Sequence, residues 1–108
     1  MNTENFNRLI ERVAAQETRI NFGSWYSCYT GMAWELEGKP GWSPTLFDFG
    51  DWLGIDESRA EKLQYLYDFG RRPGRRIEDF NNLDLDAQKR VLIRGLESLR
   101  DTGEIVWE

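Results

Sequence analysis

The side chains that could do chemistry in this chain are its carboxylates, lysines, tyrosines and arginines, because it contains no histidine and a single cysteine, Cys28. The missing histidine excludes Ser-His-Asp and Cys-His catalysis and histidine-ligated zinc. Asp48 and Asp51 lie one helical turn apart and could share a magnesium ion, but no third ligand is fixed beside them. We therefore expect no catalytic residue, no metal and no cofactor, and we do not expect an enzyme.

A cluster of basic residues is the strongest indication of a contact site. A Pro-Gly pair is surrounded by four arginines: Arg71, Arg72, Arg75 and Arg76. Four guanidinium groups on one turn can bind phosphate or an acidic protein surface through paired hydrogen bonds. The alternative is a solvated loop that Glu78 and Asp79 neutralise. We expect these arginines to be partner-binding residues.

Aromatic and acidic residues add two further sets of candidates. Three aromatic residues fall outside the apolar stripes of the predicted helices: Tyr26, Trp34 and Trp42. Exposed tyrosine, tryptophan and arginine are typical of protein interfaces, whereas burial in the core is the alternative. Three acids could face a basic partner: Asp48, Asp51 and Glu57. A solvated helix surface is the alternative for them.

The stretch FGDWLGIDESRAEKL, residues 49–63, has the pattern of a helix-turn-helix. Gly54 falls in the turn and Gly50 lies four residues earlier, while Ala60 lies on the second helix. These small residues would let the two helices cross closely. The pattern therefore predicts either a packed helical corner or a motif that binds DNA.

The spacing of small residues in this stretch agrees with a DNA-binding motif, but its charge is unfavourable for contact with DNA. The second helix begins with Asp56 and Glu57, which DNA phosphates would repel. The whole chain has a net charge of −5, which is unfavourable for binding nucleic acid without sequence preference. The candidate DNA-contacting residues are Ser58, Arg59 and Lys62. We favour the packed corner and keep DNA binding as the alternative.

The length of 108 residues indicates a single domain covering residues 1–108. The longest apolar run is only a few residues, so no segment is expected to span a membrane. The first residues, MNTENFNRLIERV, lack the order of a signal peptide. Cys28 alone cannot form an intrachain disulfide, which agrees with a cytoplasmic location.

Apolar residues recur at helical spacing, so we expect a mainly α fold, a compact bundle of about five short helices. The first helix is predicted at about residues 4–16, capped by Thr3. The second is predicted to follow Ser24 and to stop at Gly38. The third is predicted to start at Ser43-Pro44, with proline at its first position.

The second half of the chain is predicted to hold two more helices. The fourth follows Asp56 and ends at Gly70, and the longest covers about residues 85–101, after Asp84 or Asp86. Residues 77–84 between them are predicted to be extended or to form one loose turn. Gly103 is predicted to stop the longest helix. The last residues, EIVWE, have the pattern of a short strand.

The segment INFGSWYSCYTGMAWELEGKPGW, followed by the Leu-Gly turn and its helix, resembles a group of small phage and bacterial proteins. Members of that group have a Phe and Trp pair, a Cys-containing stretch leading into a Gly-x-Ala helix, and a turn that reads LGL. The matching positions are Phe22, Trp25, Cys28, Gly31, Ala33, Leu53, Gly54, Ala60 and Leu63. This chain departs from the group in its single cysteine and in its Leu-Gly-Ile turn. The resemblance implies a phage or mobile-element setting, and the group has no established activity.

These features together favour a non-enzymatic interaction protein with one protein or nucleoprotein partner and no membrane contact. Together with the phage-type resemblance, they suggest one concrete form, an inhibitor of a host defence complex of the anti-CRISPR kind. The alternative is a helix-turn-helix transcriptional regulator that binds DNA. A small magnesium-dependent nuclease that uses carboxylates is a third and disfavoured hypothesis.

Overall fold

Apolar stripes at helical spacing form six helices in the ranges that the computed structural model describes, residues 1–22, 29–38, 45–69 and 76–107. The helices are α1 (Thr3–Ala14), α2 (Tyr29–Glu37), α3 (Leu46–Leu53), α4 (Glu57–Tyr65), α5 (Arg76–Asn81) and α6 (Leu85–Thr102). The predicted mainly α fold is confirmed, with one helix more than expected. Ser24, the predicted start of the second helix, lies outside the described residues. None of these six helices is long and apolar enough to cross a bilayer.

Short polar side chains begin most of these helices. Asp56 and Asp84 each accept a hydrogen bond from the backbone N–H of the third residue of the helix that follows. Both caps are confirmed, and they satisfy a backbone donor that has no partner within the helix. The cap of α1 is Asn2 rather than Thr3, so this helix begins one residue earlier than predicted.

The predicted start of α3 at Ser43-Pro44 is wrong, because Thr45 caps this helix. The Thr45 hydroxyl accepts from the Asp48 backbone N–H at 3.3 Å, and the Asp48 carboxylate accepts from the Thr45 backbone N–H at 3.0 Å. This reciprocal pair satisfies two backbone donors at once. Ser43 could not take part in the same reciprocal pair, because the residue three positions later is Leu46, whose side chain has no hydrogen-bond acceptor.

The connection between α4 and α6 also differs from the prediction. The predicted end of the fourth helix at Gly70 is wrong, because α4 ends at Tyr65 and Leu66 takes a left-handed conformation with φ of 55°. The extended segment or loose turn predicted from residue 77 is instead the helix α5 of six residues. Its Phe80 is fully buried, which anchors this short helix in the core.

The core lies where α1 meets α6, α2 and α3, and α3 in turn packs on α4. Its fully buried side chains on the two longest helices are Phe6, Leu9, Val13, Leu92, Leu96 and Leu99. Tyr29 of α2 is fully buried as well, and its hydroxyl donates to the Leu92 carbonyl oxygen at 3.1 Å. Burial raises the pKa of Tyr29 well above its ordinary value. These contacts fix one side of α6 against the core.

A buried amide fixes the first turns of α6 to two other segments. Gln88 is fully buried, and its Oε1 accepts from the Ile20 backbone N–H at 2.8 Å. Its Nε2 donates to the Ile20 carbonyl oxygen at 2.9 Å and to the Phe80 carbonyl oxygen at 3.1 Å. The apolar pattern of the sequence gives no sign of this residue, because a glutamine is typical of a helix surface.

Candidate partner-binding groove

An apolar groove of about 760 Å³ lies along the solvent side of α6. Its apolar lining residues are Phe69, Leu83, Ala87, Val91, Ile93 and Trp107. Several of these side chains also pack partly on the core, so the groove has a fixed floor. An apolar surface of this kind is typical of a binding site, since surface hydrophobic residues are usually scattered singly.

The end of the chain builds one wall of this groove. Gly103 ends α6 in a left-handed conformation with φ of 80°, as predicted, and the following residues pack back onto the helix. A Cβ atom on Gly95 would lie 2.5 Å from Cζ3 of Trp107, so only glycine leaves room for the indole ring. The strand-like EIVWE segment is irregular over residues 105–107, and its Ile105 and Trp107 are buried.

The segment after α4 lies beside this wall. The Trp107 indole N–H donates to the Tyr67 carbonyl oxygen at 2.9 Å, which joins the end of the chain to this segment. Tyr65 and Tyr67 expose 41% and 37% of their surface, and their ring centroids lie 5.8 Å apart. Phe69, two residues further on, lines the groove itself. Tyrosine side chains exposed beside an apolar groove are typical of protein interfaces.

The charged residues of the groove are mainly basic. Among the described residues, three cations and one carboxylate line it: Lys89, Arg90, Arg94 and Glu97. Arg90 and Arg94 are exposed and lie one turn apart on α6. Because the whole chain has a net charge of −5, this surface has the opposite sign to the molecule as a whole. The groove therefore combines an apolar floor with a basic rim.

Most of the aromatic and basic residues predicted to bind a partner lie outside the described residues. These are Tyr26, Trp42, Arg71, Arg72 and Arg75. Arg76 begins α5, and the described structure does not extend to its side chain. Trp34 lies on α2 and exposes 36% of its surface. In the sequence, Arg71 follows the groove residue Phe69 by two positions.

The three acids predicted to bind a partner lie around the α3–α4 corner. Asp51 and Glu57 are exposed, whereas Asp48 is half-buried and forms the reciprocal cap with Thr45. The corner also exposes Phe47 of α3, with 63% of its surface accessible. This acidic face lies on elements that contribute no lining residue to the α6 groove.

Other acids form contacts within the chain instead of facing a partner. The Glu37 carboxylate accepts from Arg8 Nη1 at 3.0 Å and from the Trp52 indole N–H at 2.7 Å, which joins α1, α2 and α3. Glu35 pairs with Arg12 at 3.0 Å. Among the described residues, no group of three acids or cysteines lies close enough to hold a metal ion.

The α3–α4 pair has the close crossing expected of a helix-turn-helix. A Cβ atom on Gly50 would lie 3.4 Å from the Cβ of Ala60, which is ordinary close contact. Gly54 ends α3 in a left-handed conformation with φ of 71°. The Asn2 backbone N–H donates to the Leu53 carbonyl oxygen at 2.8 Å, so the start of the chain lies against this turn.

The cations of α4 are held by contacts within the chain. Arg59 Nε donates to the Gly103 carbonyl oxygen at 2.9 Å, and its Nη1 lies 2.7 Å from the Asp56 carboxylate. Lys62 Nζ lies 3.2 Å from the Asp68 carboxylate. Of the three residues predicted to contact DNA, Ser58 is exposed, whereas Arg59 and Lys62 are already paired with groups of the same chain. A contact with phosphate would have to replace these ion pairs.

None of the residues that line the groove is among those predicted from the sequence to bind a partner. The sequence carries one sign of them, because Val91 and Ile93 are apolar but fall outside the Leu92, Leu96 and Leu99 stripe of α6. The position of Trp107 against Gly95 has no such sign, since it depends on how the end of the chain folds back. A comparison of this chain with models of protein families, with curated proteins and with solved structures finds no match. The resemblance to small phage and bacterial proteins stays an expectation.

Proposed function

We propose that this chain is a non-enzymatic interaction protein that binds a partner protein through the groove on α6. The observation that carries this proposal is the apolar groove of about 760 Å³ with arginines at its rim. Burying apolar surface contributes about 25 cal/mol per Å², and tryptophan, tyrosine and arginine contribute most at protein interfaces. A stoichiometric binding protein needs no catalytic side chain, which agrees with the absence of histidine from the sequence.

The α3–α4 corner is less favourable as a binding surface for DNA. Its exposed helix start carries Glu57, and the Arg59 and Lys62 side chains are engaged at 2.7 Å and 3.2 Å by carboxylates of the same chain. Protein–DNA affinity comes largely from cations that neutralise phosphates. The DNA-binding alternative therefore has weaker support than the protein-binding groove, and inhibition of a host defence complex stays a prediction.

Capture from a nuclease-treated bacterial lysate tests this proposal. We expect the wild-type chain to retain a stoichiometric protein, and we expect Val91→Asp and Ala87→Glu each to lose it, because each places a charge on the apolar floor. Phe47→Asp is the matched control, since it places the same charge at an exposed apolar position on α3. Circular dichroism shows whether each variant is folded.

Two results would overturn the proposal. Retention of the protein by both groove variants, with loss in Phe47→Asp, would move the binding surface to the acidic face of the α3–α4 corner. Loss of all bound material after nuclease treatment would favour the DNA-binding alternative.

A further inference from the structure

We propose that the α6 groove binds an acidic amphipathic helix of its partner, with two carboxylates one turn apart that pair with Arg90 and Arg94. This inference rests on the proposed function and adds the chemistry of the segment that is bound. It is carried by three properties of the groove: its length along α6, the kind of backbone that surrounds it, and the sign of its charge.

The length of the groove matches a short helix. Its lining residues on α6 run from Ala87 to Glu97, which is about 15 Å at 1.5 Å per residue, or nearly three turns. Apolar side chains line this length, from Leu83 and Val91 to Trp107. A helix laid into such a groove contacts it through residues at i, i+3, i+4 and i+7.

The backbone around the groove favours a helix over an extended peptide. One common way for an extended peptide to bind is to add a strand to an exposed sheet edge, where main-chain hydrogen bonds supply affinity. The described lining residues lie on α6, in the connections from α4 to α5 and from α5 to α6, and in the irregular segment 105–107. No strand borders the groove in the described ranges, so an extended peptide would find no sheet edge there to pair with, whereas a helix pairs its own backbone groups.

The charge of the rim selects an acidic occupant. Arg90 and Arg94 stand at i and i+4, so carboxylates spaced one turn apart on a bound helix can meet both guanidinium groups. Guanidinium and carboxylate groups form paired, charge-assisted hydrogen bonds. Lys89 adds a third positive charge, with its Nζ donating to the Ala14 carbonyl oxygen at 2.9 Å, and Arg94 already has a contact within the chain that a bound carboxylate would join or replace. Among the described residues that line the groove, Glu97 is the only carboxylate. A basic helix would meet three like charges at the same place.

A displayed peptide library tests this inference on the intact protein. The library holds peptides of about 14 residues, roughly four helical turns, with leucine at the i, i+3, i+4 and i+7 positions and all residues allowed beside them. We expect the wild-type chain to enrich glutamate or aspartate one turn apart by about tenfold or more over Val91→Asp. Arg90→Gln combined with Arg94→Gln should remove the acidic preference, and Arg90→Glu combined with Arg94→Glu should replace it with lysine or arginine.

Arg12→Gln combined with Lys62→Gln is the matched control, because it makes the same change of charge away from the groove and should keep the acidic preference. Enrichment of leucine-rich peptides with no preference for acids would overturn this inference and leave the proposed function intact. The inference and the proposed function would both be overturned by two results together: the wild-type chain enriches no peptide over Val91→Asp, and the groove variants still retain the protein captured from the lysate. Binding of decanoate without peptide enrichment, or a dimer in sedimentation that Val91→Asp dissociates, would assign the groove to a small apolar acid or to a second copy.

Discussion

Gln88 shows how much one buried polar side chain can hold together. Its amide makes three hydrogen bonds of 2.8 to 3.1 Å, which join the segment after α1, the end of α5 and the first turns of α6. Because the residue is fully buried, water cannot replace these partners if the amide is removed.

Replacing this amide should destabilise the fold strongly. Gln88→Leu keeps the size of the side chain but leaves the backbone N–H and the carbonyl oxygen of Ile20 unsatisfied, whereas the Phe80 carbonyl oxygen keeps the Leu83 backbone N–H as a donor. We therefore expect a loss of about 2 to 4 kcal/mol in the free energy of unfolding. Gln16→Leu is the control, since Gln16 bonds to exposed groups of Thr18 and should cost less than about 1 kcal/mol. Urea denaturation measures both. Equal losses in the two variants would contradict the role of Gln88.

Gly95 and Trp107 form a coupled pair, because a side chain at one position occupies the space of the other. Gly95→Ala should lower stability by about 1 to 3 kcal/mol, since the indole ring must move. In a Trp107→Ala background the same change should raise stability by about 0.5 to 1 kcal/mol, because alanine favours a helix more than glycine does. A double-mutant cycle in urea measures this coupling. A Gly95→Ala effect of the same sign and size in both backgrounds would disprove it.

Tyr29 makes the core sensitive to alkaline pH. Its raised pKa in the folded state means that the hydroxyl stays neutral at pH values where the unfolded chain loses the proton. Its contribution is therefore complete below about pH 10, the ordinary tyrosine pKa, and falls as the pH rises further. Tyr29→Phe should cost about 1 kcal/mol at neutral pH through the lost bond to Leu92 and should lose less stability above pH 10 than the wild-type chain. Parallel stability curves above about pH 10 would refute this assignment.

At the scale of the elements, Arg59 joins α4 to the end of α6. Its Nε donates to the Gly103 carbonyl oxygen at 2.9 Å, at the point where α6 ends and the last residues turn back towards the groove. Arg59 thus has a role within the fold that the helix-turn-helix pattern does not include.

Substitution of the two α4 cations separates the structural role from DNA binding. We expect Arg59→Ala to lower the free energy of unfolding by about 1 kcal/mol, because a carbonyl group loses its charged donor. Lys62→Ala should change it by less than about 0.5 kcal/mol, since it removes only a surface ion pair. Thermal denaturation gives both values. The opposite result, unchanged stability together with loss of salt-sensitive DNA binding, would support the DNA-binding alternative.

The sequence predicts those elements whose signals are local. Asp56, Asp84, Gly54 and Gly103 act within one or two turns of their own helix, and each has its predicted role. The end of α4 at Leu66 could not be predicted, because a left-handed leucine has no preference of its own for that conformation. Its position depends on packing between distant parts of the chain.

The groove could not be predicted for the same physical reason. Val91 and Ile93 mark apolar surface outside the core stripe of α6, but their neighbours come from Phe69 and Trp107, which are distant in the sequence. The arginine cluster is predicted from its position around the Pro-Gly pair, and the aromatic candidates from their positions outside the apolar stripes. The structure adds a groove whose lining residue Phe69 precedes this cluster by two positions in the sequence.

At the scale of the whole molecule, charge and apolar surface are distributed unevenly. The acids of the α3–α4 corner dominate one part of the surface, whereas three cations and an apolar floor lie along α6. Because this chain has a net charge of −5, the rest of its surface repels a partner that recognises the α6 groove through acidic groups. This distribution favours a single orientation of the bound partner.

The most direct test of this account is photo-crosslinking to the captured partner. A photoreactive residue at position 90, on the rim of the groove, is compared with one at position 47, which is also exposed but lies on α3. If the partner binds in the α6 groove, a crosslinked protein forms from position 90 and none forms from position 47. A crosslink from position 47 alone, or a crosslink to nucleic acid from either position, would contradict the groove as the binding surface.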